Sequence, residues 1–197
     1  MLYIVLTVVL SFLGVFTFVP KFKSVIERHS VGINFFLTLI ATLVGVLLAI
    51  YINNYETAQK EKQEVIKLLT STKASVETCY DYSEELIEYF DTLPKDDPTK
   101  ADFYAKNPPP YPDYLDIFLT QNIVSKNLSE ASLSELNEYI INLKRSRTFN
   151  ASLYLTLLEQ TLGLLDLEVS YQKGTLTEVQ LDEKLTQLSS SVTTAMR

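Results

Sequence analysis

The stretch VGINFFLTLIATLVGVLLAIYI, residues 31–52, runs for 22 positions without a charged residue. An apolar run of about 20 residues crosses the hydrocarbon core of a bilayer as a helix, because a helix satisfies its backbone N–H and C=O groups internally. Residues 1–19, MLYIVLTVVLSFLGVFTFV, are also free of charge. They lack the basic leader and the small-x-small cleavage site of a signal peptide, so they read as a retained span. The chain is therefore expected to begin with a transmembrane hairpin over 1–52, with spans at about 2–19 and 31–52, and its first partner is the lipid bilayer. Ala41, Gly45 and Ala49 fall at i, i+4 and i+8 on one face of the second span. Small residues so placed let helices approach closely in lipid, which makes this a membrane-packing face. The alternative is the ordinary abundance of Ala and Gly in such spans.

No proline or glycine interrupts residues 46–93. The second span is expected to continue as one long helix into a soluble domain, 53–197. Val65, Leu69, Thr72, Val76, Cys79, Ser83, Leu86 and Phe90 recur at 4-3 spacing along it, which draws an apolar seam. Two readings fit this seam: packing within the chain's own bundle, or a coiled coil with another copy. Cys79 falls on the seam and reads as a small buried hydrophobe.

Residues 92–112 break the helix with six of the chain's seven prolines. Pro108-Pro109-Pro110 favours extended polyproline II backbone, either a stiff loop crossing the domain or a ligand for a peptide-binding module. Tyr104, Tyr111 and Tyr114 are placed to anchor the loop. Beyond it the periodicity predicts helices over 113–126, 133–149, 151–173 and about 178–193. The 133–149 helix starts at a capping box formed by Ser132 and Glu135, and the last helix at one formed by Thr177 and Gln180. Gly174 stands where a C-terminal cap belongs. No stretch alternates as a strand does. The expected fold class is all-α: two N-terminal transmembrane helices, the second continuing into a C-terminal soluble helical bundle.

The chain carries a formal charge of −7. The first 52 residues hold three basic residues and one acidic, which leaves 14 basic and 23 acidic beyond them, a charge of −9. An acidic domain is no partner for duplex nucleic acid, which needs a broad basic footprint. One histidine, His29, and one cysteine, Cys79, exclude His- or Cys-based metal sites and dyads, and five glycines form no phosphate loop. Carboxylate pairs such as Glu84-Glu85 and Asp182-Glu183 read as solvated helix faces. No catalytic residue, metal or cofactor is expected, and the protein is not read as an enzyme. The charge count does not settle membrane topology: Lys21, Lys23 and Arg28 in loop 20–30 equal Lys60, Lys62 and Lys67 after the second span in number, while their closer approach to the membrane favours the loop inside and both termini outside.

One positive focus stands out, Lys144, Arg145 and Arg147, in the stretch NLKRSRTFN, residues 142–150. Asn150 adds a hydrogen-bonding amide, and Tyr139, Phe149 and Tyr154 add aromatic surface close in sequence. Guanidinium groups grip phosphates in bidentate fashion and aromatic rings stack on bases. Lys144, Arg145, Arg147, Asn150, Tyr139 and Phe149 are therefore the candidate ligand-binding residues, for a small phosphorylated nucleotide. The competing reading is structural. Basic residues in the last turn oppose the negative end of the helix dipole, and Glu135, Glu138 or Asp166 could pair with them.

Two apolar runs followed by a small helical domain with a basic focus at Lys144–Arg147 resemble the two-span membrane effectors of type III CRISPR anti-phage defence. That resemblance implies a homo-oligomer, often a tetramer, in the bacterial inner membrane. It also implies a cytoplasmic domain that binds cyclic oligoadenylate and makes the membrane part toxic to an infected cell. The alternative is a membrane scaffold that docks a protein partner through its helical domain or Pro-rich loop.

Overall fold

The structure, a computed structural model, describes residues 30–195 together with Val5, Thr7, Val8, Val9, Ser11, Phe12 and Val15. The expected first span lies largely outside the described residues. Two compact units are resolved, Met1–Lys60 and Glu61–Arg197. All regular structure among the described residues is helical. We label the helices α1 (Ser30–Thr92), α2 (Phe103–Lys106), α3 (Tyr114–Thr120), α4 (Asn122–Asn127), α5 (Glu130–Ser146), α6 (Ala151–Gln172) and α7 (Glu178–Ala195).

α1 begins at the charge-free run and continues through the predicted seam without a break. It is long and apolar enough to cross a membrane. Its apolar part is exposed on most of its circumference, as at Val31, Phe35, Phe36, Leu39, Leu43 and Val46. Thr38 and Thr42 return their hydroxyl protons to the carbonyls of Asn34 and Thr38, which removes two polar groups from that surface. The Ala41–Gly45–Ala49 face is exposed, and a Cβ on Gly45 would meet nothing within 4 Å.

The second unit is built on the seam. Val65, Leu69, Thr72, Val76, Cys79 and Ser83 are all buried, while Leu86 and Phe90 are half-buried. Their apolar members join one core with Leu115 and Phe118 of α3, Leu136, Ile140 and Leu143 of α5, and Leu157, Leu158, Leu164 and Leu165 of α6. The seam is thus used within the chain's own bundle. Thr72 and Ser83 fit there because their hydroxyls bond back to the carbonyls of Leu68 and Cys79. Cys79 is a buried free thiol, as expected.

Three boundaries differ from the sequence reading. The 113–126 helix is broken at Gln121, whose extended backbone (ψ 126°) separates α3 from α4. At about 100° per residue, an unbroken helix would put Val124 on the side opposite Leu115. The break turns both into the core. α5 starts at Glu130, capped by Ser129, whose hydroxyl oxygen accepts from the Ser132 amide at 3.1 Å. Ser132 is not the cap; its hydroxyl is buried with no partner among the described residues. Finally, the Pro-rich segment is partly helical, with a 3₁₀ turn at Lys100–Asp102 followed by α2.

The C-terminal signals are where the sequence puts them. Gly174 has φ 77°, and its N–H donates to Tyr171 while Thr175 N–H donates to Ser170, a Schellman closure of α6. Thr177 and Gln180 form the reciprocal capping box at the start of α7.

The two serines at the start of α5 make a paired prediction. Ser129→Ala removes a cap and a hydroxyl bonded to Glu168, and should cost about 1–3 kcal/mol. Ser132→Ala removes only an unsatisfied hydroxyl and should be neutral or stabilising by up to about 1 kcal/mol. Thermal melting of the two variants in detergent checks this; equal losses would return the cap to Ser132.

Candidate functional site

Lys144 and Arg145 lie in the last turn of α5, and Arg147 is its C-terminal cap residue. They therefore oppose the negative end of the helix dipole, as the structural reading expects. Their side chains then diverge. The Lys144 ammonium donates to Asp116 Oδ1 at 2.8 Å and sits 5.4 Å from the centre of the Tyr111 ring. Arg147 Nε donates to the carbonyl of Pro109. Arg145 is exposed, with no hydrogen bond or ion pair among the described residues.

The aromatic candidates separate as well. Tyr139 is 3 % exposed and belongs to the core. Burial pushes its hydroxyl up to about 12, with Glu135 and Glu138 adding to the effect, so the ring stays neutral. Phe149 is 70 % exposed in the turn between α5 and α6. Asn150 caps α6, its side-chain oxygen accepting from the Leu153 amide at 2.9 Å. Lys144, Arg145, Arg147 and Phe149 therefore share the α5 terminus, whereas Tyr139 faces inward and Asn150 is committed to a helix cap.

The basic cluster and the Pro-rich segment meet here. Tyr154, buried on α6, donates its hydroxyl proton to the carbonyl of Pro110 at 2.6 Å. Its hydroxyl is held well above the ordinary tyrosine range, chiefly by burial. Tyr111 donates to Asp116 at 3.2 Å, the same carboxylate that holds Lys144. Segment 109–116 is thus fastened to the ends of α5 and α6 by Arg147, Tyr154 and Lys144. Tyr104 anchors the preceding turn by packing on Phe90 with ring centres 4.9 Å apart.

The acids named as partners for the cluster lie elsewhere. Asp166 pairs with Lys73 at 2.8 Å, joining α6 to α1. Glu135 is raised by burial and by its neighbour Glu138. The true partner, Asp116, lies 28 positions before Lys144. Nothing in the local spacing points to it.

No family model, curated protein or solved structure matches this chain.

Among the described residues no group of His, Cys, Asp and Glu is arranged to hold a metal. A cleft of about 330 Å³ opens near the C-terminal end of α1, lined by Leu86, Tyr89, Leu93, Thr99, Phe103, Lys106 and Asn107. The basic cluster does not line it. Arg145 and Phe149 are exposed at the α5 terminus. That terminus can receive a ligand that presents several acceptor oxygens over a flat area.

Proposed function

We propose that this chain is a multi-pass protein of the bacterial inner membrane, without catalytic activity, whose cytoplasmic helical bundle senses an anionic cyclic nucleotide. The ligand class is a cyclic oligoadenylate, held by Lys144, Arg145 and Arg147 with Phe149 offering a ring for base stacking. The membrane part responds to binding and becomes toxic to the cell in anti-phage defence. Symmetric rings suit symmetric homo-oligomers, and a tetramer is the favoured count. The observation that carries this reading is the exposed, unpartnered Arg145 beside two further cations in a domain of charge −9. The unbroken α1 supports coupling, since one helix holds both the apolar run and the seam of the bundle core.

Binding titration of the full chain in lipid nanodiscs with cyclic tetraadenylate and cyclic hexaadenylate tests the reading. One ring should bind, and raising salt should weaken it, because exposed charge pairs are screened. The double variant Arg145→Glu with Arg147→Glu should lose at least a hundredfold in affinity while still inserting in the bilayer, each charge-assisted contact contributing roughly 1.5–3 kcal/mol. Unchanged affinity in that variant removes the site.

A second reading, a scaffold that docks a protein partner, is favoured by the apolar residues flanking Arg145. Ile141 and Phe149 are 58 % and 70 % exposed. Under that reading neither ring binds, and Phe149→Ala lowers recovery of a protein partner.

A further inference from the structure

We infer that the Pro-rich segment, with the first turn of α3 that follows it, is a built-in competitor for the anion at the α5 terminus, a strap that occupies Lys144 and Arg147 until a ligand displaces it. This rests on the ligand-binding reading above and adds the regulation of that site.

Two of the three cations at this edge are already engaged. Arg147 is held by the Pro109 carbonyl, and Lys144 by the Asp116 carboxylate over the Tyr111 ring. All of these acceptors belong to segment 109–116. They offer what a phosphodiester backbone offers: acceptor oxygens, with one negative charge among them. A phosphate oxygen is the stronger partner for a guanidinium than a neutral carbonyl, because a hydrogen bond between two ionised groups is roughly twice as strong as one between neutral groups. Ring and strap cannot use the same N–H groups at once.

Three polar contacts fasten the strap to α5 and α6: those of Arg147, Tyr154 and Lys144. Pro108, Pro109 and Pro110 carry no backbone N–H, so the polar hold on this run is through its carbonyls, beside the burial of Pro109. Polyproline backbone is also stiff and keeps its shape once released. Besides Arg147, the carbonyl contact that fastens it comes from Tyr154, which is not one of the cations a ligand would take. A ligand whose site is free for only a fraction of the time shows an affinity reduced by that fraction. Weakening the strap at Tyr154 should therefore strengthen binding with every cation left in place. Binding should in turn loosen the strap.

The experiment uses the full chain in nanodiscs, with cyclic tetraadenylate and cyclic hexaadenylate as probes. Affinity is compared between the unmodified chain, Tyr154→Phe and Asp116→Asn. Trypsin cleavage after Lys106, just ahead of the prolines, is followed with and without the ring. Tyr154→Phe loses one neutral hydrogen bond, so its apparent Kd should fall about fivefold. Asp116→Asn, which removes the charge that holds Lys144, should change in the same direction and guards against a folding defect at Tyr154. Ring binding should speed cleavage at Lys106 in the unmodified chain. Ring binding with unchanged affinity in both variants and unchanged cleavage overturns the strap and leaves the ligand reading intact. Failure of either ring to bind any of the three chains, with Lys106 cleaved faster in the variants, overturns the ligand reading and the competition with it.

Discussion

Glu168→Ala should destabilise the bundle by about 3 kcal/mol, the cost of removing a buried carboxylate that satisfies several donors. Glu168 is fully buried on α6. Its oxygens accept from the Ser129 N–H at 3.3 Å, the Ser129 hydroxyl at 3.0 Å and the Gln172 side-chain amide at 2.8 Å. Among the described residues no cation is bonded to it. Its carboxyl group lies instead at the N-terminus of α5, where the helix dipole is positive. The Gln172 amide also donates to the Asn127 carbonyl at 2.8 Å, so one small network closes the α4–α5 junction onto α6. Alanine leaves the Ser129 donors without their acceptor at the point where α5 begins. Glu168→Gln keeps an acceptor oxygen and should lose about half as much. Thermal melting followed by circular dichroism reads the difference, as a fall of roughly 10 °C for alanine. A fall under about 3 °C would mean that water replaces the carboxylate without penalty.

Leu69→Ala should cost about 2–5 kcal/mol, the range for emptying a leucine site in a closed core. Leu69 is wholly buried at the middle of the α1 seam, among side chains of the chain's own bundle. The loss should therefore be independent of protein concentration. A coiled coil between copies would instead give a melting point that rises with concentration. Thr70→Ala, one residue on and exposed, serves as the control and should change stability by less than about 0.5 kcal/mol. A concentration-dependent loss at Leu69 would move the seam to an interface between copies.

The parts of this fold legible in the sequence are those whose physics is local. The seam is visible because burying one side of a helix imposes a 4-3 recurrence, and Val65 through Ser83 keep it even where Thr72 and Ser83 are polar. The Thr177–Gln180 box is visible because both partners lie three residues apart. Gly174 is visible because a left-handed residue closing a helix strongly favours glycine. What escapes the sequence depends on distant partners. Ser129 is the cap of α5, yet the carboxylate that secures it stands 39 positions away. The break at Gln121 has no proline or glycine to announce it, and only the need to bury Val124 explains it. At the basic cluster the charges are plain, but the group that holds Arg147 is a backbone carbonyl 38 positions earlier, and every residue has one of those. Tyr139 is near the cluster in sequence, while its position on α5 turns it to the core.

The seam on α1 also sets an order of events during synthesis. Val65 to Ser83 leave the ribosome well before α5 and α6, the helices that cover them. At roughly 5–20 residues per second, Leu69 is complete on the order of 5–20 s before Leu157 and Leu158 are made. For that interval a half-formed apolar surface stands beside a segment apolar enough to enter the bilayer. Under the membrane reading proposed above, the newborn chain depends on early capture of residues 31–52 by the membrane insertion machinery. If capture is slowed, the uncovered seam is the surface through which nascent chains will aggregate.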